Sequence, residues 1–168
     1  RSRYPKFMGW EYIKENMNKN YDVIFYCDVN IDIDKTLNWN EFADQIINND
    51  SGIMQSQHPC KNTILIDMNA INKFNIDNMN KTHDFLKENN ADLNYMICQN
   101  NIFGYNPKNE KIISAFTYFW DIYTTKKLSY RDQPLWGFVS WKLNIQPIYN
   151  NNLCKSWKEL AKYANPPW

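Results

Sequence analysis

"VIFYCDVNIDIDKTLNWNEF", residues 23–42, places carboxylates or amides at 28, 30, 32, 34, 38, 40 and 41 behind a short apolar and aromatic run. The β-branched and aromatic residues of "YDVIFYC" predict a buried strand ending at Asp28. "NIDI" alternates apolar and acidic residues, which predicts an exposed or edge strand. "NWNEFADQIINN" opens on an Asn cap and predicts a helix. Three metal-binding patterns can be laid over this stretch. A calcium loop from Asn30 to Glu41 needs a helix on each side and Gly at its sixth position, but a strand precedes it and Lys35 stands there. A phosphatase motif at Asp32, Asp34 and Thr36 needs its first Asp at the strand tip and a later acidic turn for magnesium. Asp32 lies well beyond the apolar run, and no such turn follows. Asp28 and Asn30, spaced i and i+2 directly after the strand, turn two oxygen ligands toward the crevice at the sheet's carboxyl edge. That geometry suits a divalent cation and a diphosphate. The ordinary use of Asp-x-Asn after a strand is a turn.

Outward from this stretch, residues 4–17 carry Phe7, Trp10, Ile13 and Met17 at helical spacing and predict one amphipathic helix. "SGIMQSQHP" reads as a strand closed by Pro59, with helical patterns following to about residue 89. "NYMICQNNIFGYN" supplies one or two strands, and residues 108–126 a helix. Another helix follows "YRDQP", where Pro134 suits a first turn. "IQPIYN" is a last strand and "SWKELAKYA" a last helix. Strands alternating with helices predict an α/β fold with a mixed sheet flanked by helices, in one domain over residues 1–168.

The 168 residues are enough for a sizeable core, and 43% hydrophobic with 16% aromatic content suits a globular chain. A formal net charge of +1 gives no bulk attraction for nucleic acid or anionic membranes. The 26 asparagines, with abundant Lys, Ile and Tyr, fit AT-rich coding and say little about chemistry. Cys27, Cys60, Cys98 and Cys154 form no Cys-x-x-Cys pair, so reduced, non-catalytic thiols are expected. Neither a signal peptide nor an apolar run of about 18 residues is present, which for a complete chain favours the cytoplasm. The chain opens at Arg1 without Met, so an upstream segment is equally compatible with the sequence.

The order of short motifs carries more information. Arg3 and Lys6 precede the strand; Asp28, Asn30 and Ile31 follow it; His58 and Pro59 close the next strand; Trp120 and then Arg131, Asp132 and Gln133 come last. In this order they resemble GT-A glycosyltransferases, and more closely a glycosyltransferase-like family that includes plant pectin and mucilage proteins. The resemblance covers most of residues 1–145. It departs at Lys61, where the family usually has Arg, and at Asp67, where the acidic residue is often Glu. The chain also begins after the strand and helix that embrace the base in GT-A enzymes.

The resemblance implies a GT-A-like (Rossmann-like) fold and transfer of a sugar from a nucleotide-sugar donor to a glycan or other hydroxyl acceptor. It implies Mn²⁺ or Mg²⁺ on Asp28 and Asn30, with Arg3 and Lys6 completing the donor site. His58, Arg131 and Gln133 would face the acceptor, and Asp132 would act on it as base or positioner. The rival reading is a catalytically silent sugar-binding or scaffold domain. Each residue also has an ordinary use. Arg3 and Lys6 lie one helical turn apart and suit a solvated face, Asp67 suits a simple salt bridge, and Asp132 suits a helix N-cap. Trp120, Trp136 and Trp141 could stack on sugar rings, although most Trp in such helices are core.

Overall fold

The computed structural model describes residues 3–17, 19–29, 31, 33–58, 60, 62–72, 79–128 and 131–153. Its elements run in the order α1 (Tyr4–Phe7), α2 (Gly9–Met17), β1 (Ile24–Cys27), α3 (Trp39–Ile47), β2 (Ile53–Gln57), α4 (Ile64–Asn72), α5 (Met79–Glu88), β3 (Cys98–Tyr105), α6 (Glu110–Thr125), α7 (Asp132–Lys142) and β4 (Ile148–Tyr149). The sheet is mixed, as expected. Its order is β1-β3-β2-β4, with β3 antiparallel to both neighbours and β4 parallel to β2.

Alternation along the central strands feeds two apolar layers. Ile53, Phe103 and Tyr105 face the larger core, where Phe7 of α1, Phe116 and Phe119 of α6 and Trp136 of α7 pack as an aromatic cluster. Met54 and Ile102 face the other way, onto Phe42 and Ile46 of α3. Helices therefore cover both faces, which is how a half-buried sheet removes its apolar surface from water. Gly104 marks the tightest point of the second layer: a Cβ there would lie 2.4 Å from Phe25 and 2.8 Å from Ile46.

The helix expected over residues 4–17 is two helices. α1 ends at Met8, whose N–H bonds to the Tyr4 carbonyl, and α2 restarts at Gly9. The break lets Phe7 and Met8 enter the core, while Met17 of the expected apolar face is exposed. The strand expected to be buried, β1, lies at the sheet's edge, and all four of its residues are half-buried. Both helix layers touch it, but its outer side has no strand among the described residues. The helix expected over 108–126 and the helix beginning near Pro134 are α6 and α7. α3 has the anticipated cap, with the Asn38 side chain accepting from the Glu41 N–H. The helix expected at "SWKELAKYA" lies outside the described residues, as do Asn30, Asp32, Pro59, Lys61 and Cys154. Cys27, Cys60 and Cys98 form no disulfide. Among the described residues no helix is long and apolar enough to cross a membrane.

Candidate functional site

β1 ends at Cys27, and the next residue, Asp28, is anchored by its own backbone: its N–H bonds to the Asn101 carbonyl at 2.7 Å. This fixes one carboxylate at the carboxyl end of the edge strand. Across β3 the register breaks. Gln55 of β2 pairs with Phe103 but Ser56 pairs with Gln99, so residues 100–102 have no counterpart on β2. Such a bulge re-aims side chains beside it. Here it turns the amide-rich run Gln99, Asn100 and Asn101 to the cavity that Asp28 also lines. The start of α7 supplies Arg131, Asp132 and Gln133, and α1 with its cap supplies Arg3 and Lys6. The open cavity has a volume of about 220 Å³.

Its charges are ordered around a buried lysine. Lys6, only 3% exposed, places its ammonium 3.0 Å from Asp132 Oδ2 and 3.4 Å from Asp28 Oδ1. Its ammonium also lies 5.2 Å from the centre of the Tyr26 ring. Arg3 Nε approaches the same Asp132 oxygen at 3.5 Å without hydrogen-bonding geometry. The Tyr26 hydroxyl donates to Asp28 Oδ1 at 2.6 Å. Burial, then this bond to a carboxylate, raise the Tyr26 hydroxyl well above the usual phenol range. Arg131 donates to Gln133 Oε1 and pairs with Asp67 Oδ1 at 3.4 Å. With Asp67, which lies behind Arg131 and does not line the cavity, three cations face three carboxylates.

Several expectations change in detail. Asp132 is not the cap of α7. Arg131 holds that position, and Asp132 is the first helical residue, directed at Lys6 rather than at a backbone N–H. Its carboxylate accepts a hydrogen bond from Lys6 and lies beside Arg3. Lys6 is not on a solvated face, because α1 turns it into the interior. Asp67 makes the expected salt bridge, to Arg131, but from a buried position: it is 3% exposed, and burial raises its carboxyl above the usual range against the opposing pull of Arg131.

His58 is partly buried beyond β2, and its Nδ1 is buried without a partner among the described residues. Desolvation, then the Arg131 charge, lower it to about 4, so it is neutral at pH 7. It is near enough to Arg131 to feel that charge but does not line the cavity. Of the two sequence-proposed metal ligands, Asn30 lies outside the described residues. Asp34, from the phosphatase pattern, uses Oδ1 to accept from the N–H and hydroxyl of Thr36, as in a local turn.

A metal at Asp28 can be tested against this geometry. Oδ1 is occupied by Tyr26 and Lys6, which leaves Oδ2, on a side chain 34% exposed. No group of three or more His, Cys, Asp or Glu among the described residues forms a cage. One carboxylate oxygen fits a Mg²⁺- or Mn²⁺-type ion that takes its remaining ligands from phosphate and water. It does not fit an all-protein site.

A larger cavity, about 790 Å³, is elsewhere and apolar, lined by Tyr4, Tyr12, Phe25, Tyr26, Trp120 and Tyr123 among others. No charged side chain among the described residues lines it, but Tyr26 joins the two: its ring lines the apolar space and its hydroxyl reaches Asp28. Trp120 belongs to this aromatic wall, whereas Trp136 is core at 1% exposure. The residues that the motifs did not reveal are Tyr26, Gln55 and the 99–101 run. Three consecutive amide residues inside an otherwise strand-like stretch were the available signal.

Comparison of the chain with family models, with curated proteins and with solved structures gives no match.

Proposed function

We propose that the polar cavity at the end of β1 transfers a sugar from a nucleotide-sugar donor to a glycan or other hydroxyl acceptor, in a GT-A-like domain that uses Mn²⁺ or Mg²⁺. One observation carries the reading. Residues of three separate motifs, with Lys6 and Asp132 lying 126 positions apart, surround a single polar cavity at a strand's carboxyl end.

In this reading the acceptor oxygen attacks the anomeric carbon, and the bond from that carbon to the diphosphate oxygen breaks. The nucleoside diphosphate leaves with the electron pair, and the acceptor's proton passes by way of Asp132 to solvent. Lys6 serves as a strut that holds both carboxylates, and Arg3, on the rim with 26% side-chain exposure, faces the diphosphate. Counted with Asp67, which pairs with Arg131 from outside the cavity, the network's formal charges cancel and leave little surplus for a diphosphate. A divalent cation held by Asp28 would supply that surplus. Asp132 offers Oδ1 to an acceptor hydroxyl, while Arg131 and Gln133 shape that side.

The same charge balance favours a second reading, a silent sugar-binding domain whose ion network is purely structural. Thermal-shift measurements with nucleotide sugars and their bare diphosphates, each with and without Mn²⁺, separate the two. Transfer predicts stabilisation that needs nucleotide and metal together, about 2.7 kcal/mol at a hundredfold excess over Kd. Asp28→Ala should remove the Mn²⁺-dependent part. If no pair stabilises the wild-type protein, the transferase reading is wrong.

A further inference from the structure

Two buried amides outside the charged network, Gln55 and Asn100, are 1% and 2% exposed. The indole Nε1 of Trp136 donates to Gln55 Oε1 at 3.1 Å. An indole nitrogen only donates, so the Gln55 carbonyl must face it. That turns the Gln55 amide nitrogen toward β3, where it donates to Asn100 Oδ1 at 3.2 Å. Asn100 is fixed in its turn: its oxygen is taken, and its Nδ2 has no partner among the described residues. Yet Asn100 lines the polar cavity. Next to it Asn101, another lining residue, has a buried Oδ1 without a partner among the described residues.

Evolving a buried, one-way relay that ends on an unused N–H is unfavourable unless something completes it. The missing partner of Asn100 is an acceptor, and the missing partner of Asn101 is a donor. A hydroxyl is both, whereas a phosphate oxygen only accepts. We infer that the Trp136–Gln55–Asn100 relay and Asn101 form a hydroxyl-reading subsite, in which the β3 bulge grips a sugar ring. Asn100 donates to one ring hydroxyl, and Asn101 accepts from the same hydroxyl or its neighbour. Gln55 and Trp136 touch no sugar; they are positioning residues that decide which way the Asn100 amide points. The inference deepens the proposed function and rests on it for sugar as the ligand class, while the subsite itself rests on the relay.

The test is an NMR titration of the side-chain amide signals, with Asn100 and Asn101 assigned by substitution. The probes are the methyl glycosides of glucose, galactose, mannose and xylose, and, separately, UDP with Mg²⁺. The expected result is a saturable shift of the Asn100 and Asn101 amide signals with at least one glycoside, and no shift of Asn100 with UDP and Mg²⁺. Asn100→Asp, which replaces the donor by an acceptor of the same shape, should weaken that glycoside at least tenfold per folded molecule, although the buried carboxylate lowers the melting temperature. The wild-type titration decides even if this variant does not fold. Asn100 signals that ignore every glycoside, or that respond to UDP and Mg²⁺ alone, overturn the subsite. Glycosides that shift Asn100 when no nucleotide sugar binds would support the subsite and reject the transferase. Nucleotide-sugar binding that leaves both amides unmoved would do the reverse.

Discussion

Replacing Lys6 by Met keeps most of the aliphatic stem and removes one buried charge. In the native protein that ammonium lies between Asp132 and Asp28, with the side chains of Lys6 and Asp132 only 4% and 8% exposed. After the change, Asp132 retains Arg3 Nε at 3.5 Å, a contact without hydrogen-bonding geometry. Removing one partner of a buried ion pair costs about 3–5 kcal/mol, chiefly because the other charge stays buried and uncompensated. For a domain of this size each kcal/mol moves Tm by roughly 2–4 °C, so a fall of roughly 6–20 °C is expected. Lys108 provides the control. It lies closer to its partner, 2.6 Å from Asp22, but the two side chains are 59% and 73% exposed. Lys108→Met should therefore cost no more than about 1 kcal/mol. Urea unfolding followed by Trp fluorescence measures both, and the double variant Lys6→Met/Asp132→Asn supplies the cycle. Removing the stranded charge should recover part of the loss. If Lys6→Met is as mild as Lys108→Met, or the double variant is no better than the single, the buried network does not hold the site together.

Other positions respond for different reasons. Gly104→Ala inserts a methyl against Phe25 and Ile46 and should destabilise by about 1–3 kcal/mol in urea unfolding, without changing any ligand affinity measured per folded molecule. His58 has a folded-state pKa of about 4, below its ordinary 6.5, so the unfolded chain takes up the proton first. Stability from this group is complete above about pH 6.5 and is lost as pH falls toward about 4. Because His58 is only partly buried, the loss should be on the order of 1–2 kcal/mol. The check is His58→Gln, whose urea midpoint should fall less than the wild-type midpoint between pH 7 and pH 4.5. Equal falls would refute the assignment.

Local patterns in the sequence were sufficient for most elements. The 3.6-residue spacing, the Asn38 cap and the Pro134 first turn identify α3, α6 and α7. What failed was tertiary in origin. An apolar strand such as "IFYC" looks the same at an edge as at the centre, because pairing partners far along the chain decide its place. The break at Met8 follows from the need to bury Phe7 and Met8, which helical periodicity alone does not reveal. The candidate site shows the same division. Arg3, Lys6, Asp28, Arg131, Asp132 and Gln133 were visible as motifs and line one cavity. The pairing of Lys6 with Asp132, and the relay from Trp136 to Asn100, depend on a bulge and on buried geometry that no spacing encodes.

The central claim is that this cavity performs sugar transfer, and Asp132 tests it most directly. The measurement is nucleoside diphosphate released from the nucleotide sugar that stabilises the protein, in the presence of Mn²⁺ and an acceptor glycan, for wild type and Asp132→Asn. Donor affinity is followed in parallel and compared at a temperature where both proteins are fully folded. Asn keeps the shape of the side chain but removes the charge. Release should fall by roughly 10²–10⁴ while donor affinity stays within a few-fold, the pattern of a group that acts on the acceptor. Release that is absent from wild type, or unchanged in folded Asp132→Asn, would contradict the account.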